Sequence, residues 1–319
     1  MKPGKPAAAA AGPHPRNRHQ GRYNIAALVG ALPELRRHVI QRQGASTIDF
    51  ADQRAVLALN RALLTQWYGI RGWDLPATAL CPGVPGRADL IHHLADLLAS
   101  DGDGTIPRGP AIRVVDIGVG ANLIYPLIGY SEYGWRFVGV DVATSAIAHA
   151  QHIITTNPVM ADAIELRLQT DPLHIFDGVL REGERYDLSL SNPPFHVSAK
   201  AVRQASLDKW RKLGETDRTG SRGSNFGGIA AELHCAGGEL GFIRRMIDES
   251  AQRPNQVRWY SSLVSQTANV LPLRKALKAV GAVEVRQIDM GQGQKQSRVL
   301  AWTFLDAAAR RAWLSAGAG

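Results

Sequence analysis

Short apolar segments alternate with helix-like segments through most of the chain. Runs rich in β-branched and aromatic residues, bounded by turn residues, predict strands at 111–117, 136–141, 164–169, 186–191, 257–264, 282–289 and 298–304. Strands that alternate with helices favour a mostly parallel sheet that is covered on both faces. The last two strands follow each other directly, so we expect a hairpin joined around residues 291–293.

The first third of the chain has a helical pattern instead. Apolar residues at helical spacing predict helices over 24–42, 51–67 and around 90–98, with a Pro/Gly-rich connection near 75–87. We therefore expect four parts, which in chain order are a flexible basic arm (1–22), a helical module (23–105), an α/β core (106–306) with a polar, Gly-rich insert (196–236), and a tail (307–319).

The distribution of charge adds a prediction about partners. The net charge is +9, and residues 1–43 hold eight basic side chains against Glu34 alone, while residues 196–223 hold seven against three acids. Such segments beside a core bind polyphosphate by counterion release, which favours RNA, although many charge runs are only solvated surface. No apolar run approaches the ~18 residues of a membrane helix, and the two cysteines lack metal-ligand spacing. We expect a cytoplasmic chain with no membrane contact and no metal.

The tetrapeptide Asn192-Pro193-Pro194-Phe195 carries the most specific chemistry. It follows the strand predicted at 186–191, at the edge where open α/β sheets bind ligands. The Asn side-chain oxygen and a carbonyl of the rigid Pro-Pro step can each accept a hydrogen bond from a planar amine, and the Phe ring can stack on a base. The motif indicates a site for an amino-bearing ring, whereas a Pro-rich turn is the alternative interpretation.

A second motif, Asp116-Ile117-Gly118-Val119-Gly120, runs from the strand at 111–117 into a glycine-rich turn. Glycines there allow the backbone to approach a ligand closely. About 20 residues later the strand at 136–141 ends in Asp141, an acid placed to accept the ribose hydroxyls of an adenosine. Glycine loop, acid and Asn-Pro-Pro-Phe in this order resemble the S-adenosylmethionine (SAM)-dependent amino-methyltransferases.

The resemblance covers residues 14–305, and within this class of enzyme it indicates one family. Further motifs of that family occur in its order at 14–19 (HPRNRH), 48–50 (IDF), 124–127 (IYPL), 237–240 (GGEL), 258–261 (RWYS) and 294–302. The chain is similar to the bacterial 23S rRNA adenine-1618 N6-methyltransferases, a eukaryotic relative of which methylates adenines in small nuclear and messenger RNA. The resemblance implies a Rossmann-like class I SAM-dependent methyltransferase fold, with a seven-stranded, mostly parallel sheet and a helical basic N-terminal extension.

The resemblance also implies roles for individual residues. The catalytic residues would be Asn192, Pro193, Pro194 and Phe195. The residues that bind SAM, with Arg87 on its methionine carboxylate and no metal, would be Arg87, Asp116, Gly118, Gly120 and Asp141. The RNA contacts would be Arg16, Asn17, Arg18, Arg22, His196, Lys200 and Arg203.

The residues alone do not decide among three functions. The first is N6 methylation of an adenine in RNA, which the basic arm and its HPRNR motif favour, with no obligate protein partner evident. The resemblance implies that this RNA is 23S rRNA or a large-subunit precursor. The second is methylation of another planar amine, guanine N2 of rRNA or a protein glutamine amide, and the third is RNA binding without catalysis. His196 is either a base or a residue that shapes the base pocket. We expect deletion of the arm to weaken RNA binding and to leave SAM binding nearly unchanged.

Overall fold

The computed structural model describes residues 12–76, 79, 81–194, 237–292 and 295–316. Its strands are β1 (Val39–Arg42), β2 (Ala45–Ile48), β3 (Arg113–Ile117), β4 (Arg136–Asp141), β5 (Ile164–Leu168), β6 (Tyr186–Ser191), β7 (Val257–Val264), β8 (Glu284–Gln292) and β9 (Lys295–Thr303). The helices of the described ranges are α1 (Ile25–Ala31), α2 (Gln53–Tyr68), α3 (Val84–Ala99), α4 (Ile124–Tyr133), α5 (Thr144–Thr156), α6 (Gly238–Ala251), α7 (Thr267–Ala279) and α8 (Ala307–Ala316). None of these described helices is long and apolar enough to cross a membrane.

Seven strands form one sheet in the order β5-β4-β3-β6-β7-β9-β8. Strands β3 to β7 run parallel, and β9 is antiparallel to both of its neighbours. The chain builds the sheet outward from β3 in one direction and then from β6 in the other, and open α/β sheets bind ligands where the order reverses. The predicted sheet is confirmed. The predicted hairpin is present as β8 and β9, while its tip at 293–294 lies outside the described residues.

Successive residues of the central strands enter two separate hydrophobic clusters. Val114 of β3 packs with α3, α4 and α5 on one face of the sheet, and Val115 packs with α6 and α7 on the other. Strands β6 and β7 are buried along their whole lengths because both faces are covered. Burial on both sides holds the carboxyl ends of these strands in fixed positions, and the site is built there.

The predicted helix over 24–42 is wrong beyond residue 31. Pro33 lacks an N–H and restricts Leu32 to extended backbone (φ −138°, ψ 93°), so α1 ends and a short 3-10 helix, Pro33–His38, follows. Strands β1 and β2 then pair through a two-residue turn at 43–44, where both residues have positive φ (50° and 75°). This hairpin and α1 pack on α2 in a third hydrophobic cluster.

Both ends of the described chain differ from the sequence-based division. Residues 14–19 were predicted to belong to a flexible arm, yet three of their six side chains are buried against the protein. The predicted tail contains α8, whose Arg310 Nε donates to Asp101 Oδ1 at 2.8 Å. These partners are far away in sequence, so local charge and periodicity did not indicate them. The predicted insert at 196–236 lies outside the described residues.

Candidate active site

Three neighbouring strands end at the same level on one edge of the sheet. Ile117 of β3 pairs with Val140 of β4 on one side and with Ser191 of β6 on the other. The Ser191 hydroxyl also donates to the Ile117 carbonyl at 3.0 Å, which fastens β6 to β3 at this edge. The glycine loop, Asp141 and Asn192 follow directly from these three ends. The parallel register therefore brings the two sequence motifs together, as predicted.

The glycine loop needs glycine at two positions. Gly118 and Gly120 have φ of +79° and +66°, a region in which a Cβ is strained. A Cβ added to Gly118 would meet no atom within 4 Å, so the loop borders open space on that side. The amides of Gly118 and Val119 both donate to the Val140 carbonyl at 2.9 Å, which turns the loop back over the end of β4.

Asp141 holds this loop in place. Its Oδ2 accepts from the Gly120 amide at 2.9 Å, and its Oδ1 accepts from the Ala143 amide at 2.9 Å. Burial raises the pKa of Asp141, and these backbone hydrogen bonds counteract that rise. The sequence did not indicate this structural role. Each carboxylate oxygen retains a lone pair, so the predicted contact with ribose hydroxyls stays a prediction.

Asp116 is a fully buried carboxylate without a hydrogen-bond partner. Neither of its oxygens has one among the residues that the structure describes. Burial raises the pKa of Asp116 well above its ordinary value, the charge of Asp141 adds to the rise, and the Arg87 guanidinium opposes it. Unpaired buried carboxylates are rare because they are costly. Both oxygens thus suit a ligand that brings a cationic donor, such as the ammonium group of a methionine.

Arg87 links the glycine-loop side of the site to Asn192. It projects from the first turn of α3, and its Nη1 donates to the Tyr125 hydroxyl at 2.7 Å. When the Asn192 amide is oriented to match its surroundings, its Oδ1 accepts from Arg87 Nη1 at 3.3 Å and from Nη2 at 3.1 Å. The predicted cofactor arginine and the predicted catalytic asparagine are therefore neighbours, and Arg87 lies close enough to influence the titration of Asp116.

Tyr125 is a site residue to which the sequence assigned no role. It lies in the first turn of α4, and the Arg87 guanidinium carbon lies 5.4 Å from its ring centroid. Burial raises the pKa of Tyr125 to about 12, so the hydroxyl stays protonated. Tyr125 belongs to the IYPL motif, on which part of the family resemblance rests. That motif is the sequence signal by which Tyr125 could have been identified as a site residue.

The remaining predicted residues divide into two groups. Pro193 is buried and Pro194 half-buried beside Asn192, whereas Phe195, His196, Lys200 and Arg203 lie outside the described residues. Arg16, Asn17 and Arg18 contact side chains or backbone of α3 and α4, and Arg22 is exposed. The structure thus gives Arg16, Asn17 and Arg18 internal partners, and their predicted RNA contact stays a prediction.

One group of potential metal ligands has a structural explanation. Within the described ranges, ligand atoms of His174, Asp177 and Glu249 lie within 4.8 Å of one another. The Glu249 carboxylate accepts from the backbone amides of residues 175–177, and Asp177 pairs with Arg253. These contacts fix the loop before β6 to α6, so the carboxylates already have protein partners. The group lies in the loop between β5 and β6, which Glu249 of α6 holds.

Comparisons with known proteins agree with this geometry. A family model described as RNA methyltransferase matches residues 7–306. A ribosomal RNA large subunit methyltransferase F from Ectopseudomonas mendocina is 56% identical over 302 residues, which cover 94% of this chain and 91% of that protein. A protein of the same name from Pseudomonas savastanoi pv. phaseolicola is 53% identical over 314 residues, with 97% and 95% covered.

Two solved structures of human METTL16 have a similar fold. The catalytic domain in complex with a MAT2A 3′UTR hairpin superposes with a TM-score of 0.75 at 30% identity, covering 92% of this chain and 96% of that one. The N-terminal domain in complex with SAH superposes with a TM-score of 0.71 at 29% identity, covering 92% and 100%. Both comparisons extend over the sheet and over the N-terminal helices.

Proposed function

Because the chain belongs to the RNA methyltransferase family, we propose that it transfers a methyl group from SAM to N6 of one adenine in 23S rRNA, adenine 1618 by family resemblance. The predicted family, fold and class of enzyme are confirmed. The observation that carries the specific proposal is the position of Asn192. It lies at the same sheet edge as the glycine loop, and its side-chain oxygen is within hydrogen-bonding distance of Arg87.

The described residues fit SAM. Asp116 offers two unpartnered oxygens to the methionine ammonium, and the Arg87 guanidinium suits the methionine carboxylate. The loop at Gly118 leaves room for a ligand to approach the backbone, and Asp141 retains acceptor capacity for ribose hydroxyls. A relative was solved with SAH, the molecule that SAM becomes after it gives up its methyl group. SAM is therefore the donor that these residues support.

The chain's own residues would act on the amine. Adenine N6 shares its lone pair with the ring, so it is a weak nucleophile. The Asn192 oxygen and the Pro193 carbonyl, each accepting one N6 proton, would favour a pyramidal nitrogen whose lone pair points away from the ring. SAM supplies a methyl carbon already bonded to a good leaving group. The N6–carbon bond forms as the carbon–sulfur bond breaks, and the product then loses one N6 proton, so attack requires no general base.

The proposed RNA partner is 23S rRNA or a large-subunit precursor. Relatives that are 52–56% identical carry names that specify the large ribosomal subunit, which supports this substrate. The net charge of +9 favours a polyanionic partner. Among the predicted N-terminal contacts, all of which lie in the described part of the chain, Arg22 is exposed and best placed for RNA contact, because Arg16, Asn17 and Arg18 have internal partners. An rRNA substrate would place the activity in the cytoplasm of a bacterium.

A nucleoside digest tests the proposal against its alternatives. Purified chain is incubated with SAM carrying a labelled methyl group and with unmodified 23S rRNA, and the digest is separated by mass spectrometry. We expect label in N6-methyladenosine alone, and labelling at least about 100-fold slower for Asn192→Ala. Label in N2-methylguanosine, or in a protein glutamine when ribosomal proteins are added, would support the second function. Tight RNA binding with no label would support the third.

A further inference from the structure

The basic N-terminal motif contacts Pro85 and Asp89 of α3. These residues lie two positions before and two positions after Arg87 in the sequence. The Asn17 side-chain nitrogen donates to the Pro85 carbonyl at 3.0 Å and to Asp89 Oδ1 at 3.0 Å. The backbone amide of His14 donates to the same Asp89 oxygen at 2.6 Å. Asn17 is 2% exposed and Asp89 is fully buried. We name residues 14–17 the N-terminal clasp.

The clasp also connects α3 to α4. Arg16 Nη2 donates to the His92 carbonyl at 2.9 Å and to Asp96 Oδ1 at 2.7 Å, both on α3. Its Nε donates to the Tyr133 hydroxyl on α4 at 3.1 Å. The contact between Arg87 and Tyr125 spans the same two helices near their N-terminal ends. A clasp that fixes α3 against α4 therefore also fixes the two partners of that contact.

The first turn of α3 has no side-chain cap of its own. Its N-cap residue is Gly83, which makes no side-chain cap hydrogen bond, and Pro85 occupies an early position without an N–H. The contacts from Asn17 and His14 reach this turn from outside the helix. They are 2.6–3.0 Å long and are made to residues on both sides of Arg87, with the two bonds to Asp89 buried and the bond to Pro85 partly buried. This arrangement restricts the position of the Arg87 backbone, from which its side chain extends.

We propose that Asn17 is a positioning residue for Arg87, and that the N-terminal clasp acts on the methyl-donor site instead of contacting RNA. The inference rests on the proposed assignment of Arg87 to the SAM carboxylate. It reverses the expectation drawn from charge, because Arg16 of the clasp pairs with Asp96, and the neighbouring Arg18 pairs with Glu132, within the protein. Loss of the Asn17 amide would let the first turn of α3 shift and would weaken the binding of SAM.

Calorimetric titration of SAM without RNA tests this inference. We expect Asn17→Ala and Arg87→Ala each to raise the Kd for SAM about tenfold, which corresponds to ~1.4 kcal/mol. Because Asn17 acts through Arg87, the double variant should bind SAM no more weakly than Arg87→Ala does. Additive losses would mean that Asn17 acts independently of Arg87 and would overturn the inference. So would a Kd for Asn17→Ala equal to that of the wild type.

Arg18→Ala is the matched control. Arg18 directly follows the clasp in sequence and pairs with Glu132 on α4 at 2.7 Å. Among the described residues it makes no contact with the first turn of α3. Its Kd for SAM should stay within twofold of the wild type. The thermal midpoints of all variants show whether a substitution changes SAM binding locally or destabilises the whole fold. If Asn17→Ala does not fold, Asn17→Ser, which keeps one short donor, replaces it in the same comparison.

Steady-state kinetics distinguish this inference from the proposed function. Asn17→Ala should raise the KM for SAM about tenfold and leave the KM for RNA unchanged, whereas an RNA contact would give the opposite pattern. A wild-type chain that does not bind SAM would contradict the proposed function itself. A wild-type chain that binds SAM, together with an Asn17→Ala variant of equal affinity, would contradict the positioning role alone.

Discussion

Replacing Asp116 by Asn tests whether the site maintains an unpaired buried carboxylate for its ligand. The two side chains have nearly the same shape, so the substitution removes the charge and preserves packing. Asp116 is fully buried, and its oxygens have no hydrogen-bond partner among the described residues. A buried unsatisfied group costs about 1–3 kcal/mol, and more when it is charged. Asparagine leaves an unsatisfied polar group in the same place, so the substitution removes only the additional cost of the charge. We expect the ligand-free variant to be more stable, with a thermal midpoint about 2 °C or more higher, taking ~2 °C per kcal/mol for a chain of this size.

The gain in stability should depend on pH. Burial and the charge of Asp141 raise the pKa of Asp116 well above its ordinary value. The folded chain therefore binds this proton more tightly than the unfolded chain does. Wild-type stability falls as the pH rises from the ordinary pKa of about 4 through the raised pKa. Asp116→Asn lacks this titration, so its advantage should be absent below about pH 4 and complete above the raised pKa.

The affinity for SAM should change in the opposite direction. A hydrogen bond between charged groups contributes about 1.5–3 kcal/mol, so Asp116→Asn should raise the Kd for SAM about 10- to 100-fold. Scanning calorimetry across a pH series measures the midpoints, and titration calorimetry at neutral pH measures the Kd. The reasoning is refuted if the variant has a lower midpoint at neutral pH, if the midpoint difference does not vary with pH, or if SAM binding is unchanged.

Three further substitutions or truncations test other parts of the site. Asn192→Ala should leave the Kd for SAM within a few-fold and reduce single-turnover methylation about 100-fold, and near-normal turnover would remove its proposed role. Asp141→Ala should weaken SAM binding by about 2 kcal/mol and lower the thermal midpoint, because Gly120 and Ala143 lose their acceptor; unchanged affinity would point to another acid for the ribose. Deletion of residues 1–22 should weaken SAM binding as well as RNA binding, whereas deletion of 1–12 should leave the Kd for SAM unchanged; equal Kd values for both truncated chains would contradict the contribution of the clasp.

The sequence predicted those features that depend on local pattern. Strand β6 is a short segment that contains Tyr186, Leu188 and Leu190 and ends at a turn signal, and its predicted and observed spans at 186–191 coincide. The glycine loop and Asn192 came together as predicted because parallel strands place their carboxyl ends at one edge. The hairpin of β1 and β2 was missed because its turn, Gln43-Gly44, lacks the Asn-Gly or Asp-Gly signal that usually identifies such turns.

Other features depend on contacts between distant residues. Asn17 and Asp89 are 72 positions apart, and no local periodicity connects them. Basic side chains that will form internal ion pairs have the same sequence signature as those that will meet solvent or RNA, so Arg16 and Arg18 could not be distinguished from Arg22. Tyr125 could be recognised as part of a family motif, but its contact with Arg87 required the packing of α3 against α4.

The central claim is that this chain methylates N6 of one adenine in 23S rRNA. Direct sequencing and mass spectrometry of 23S rRNA, from cells that lack the chain and from the same cells carrying it on a plasmid, test the claim most directly. We expect one N6-methyladenine to be lost in the deletion strain and restored by the plasmid. A deletion strain that retains every N6-methyladenine of its 23S rRNA would contradict the account.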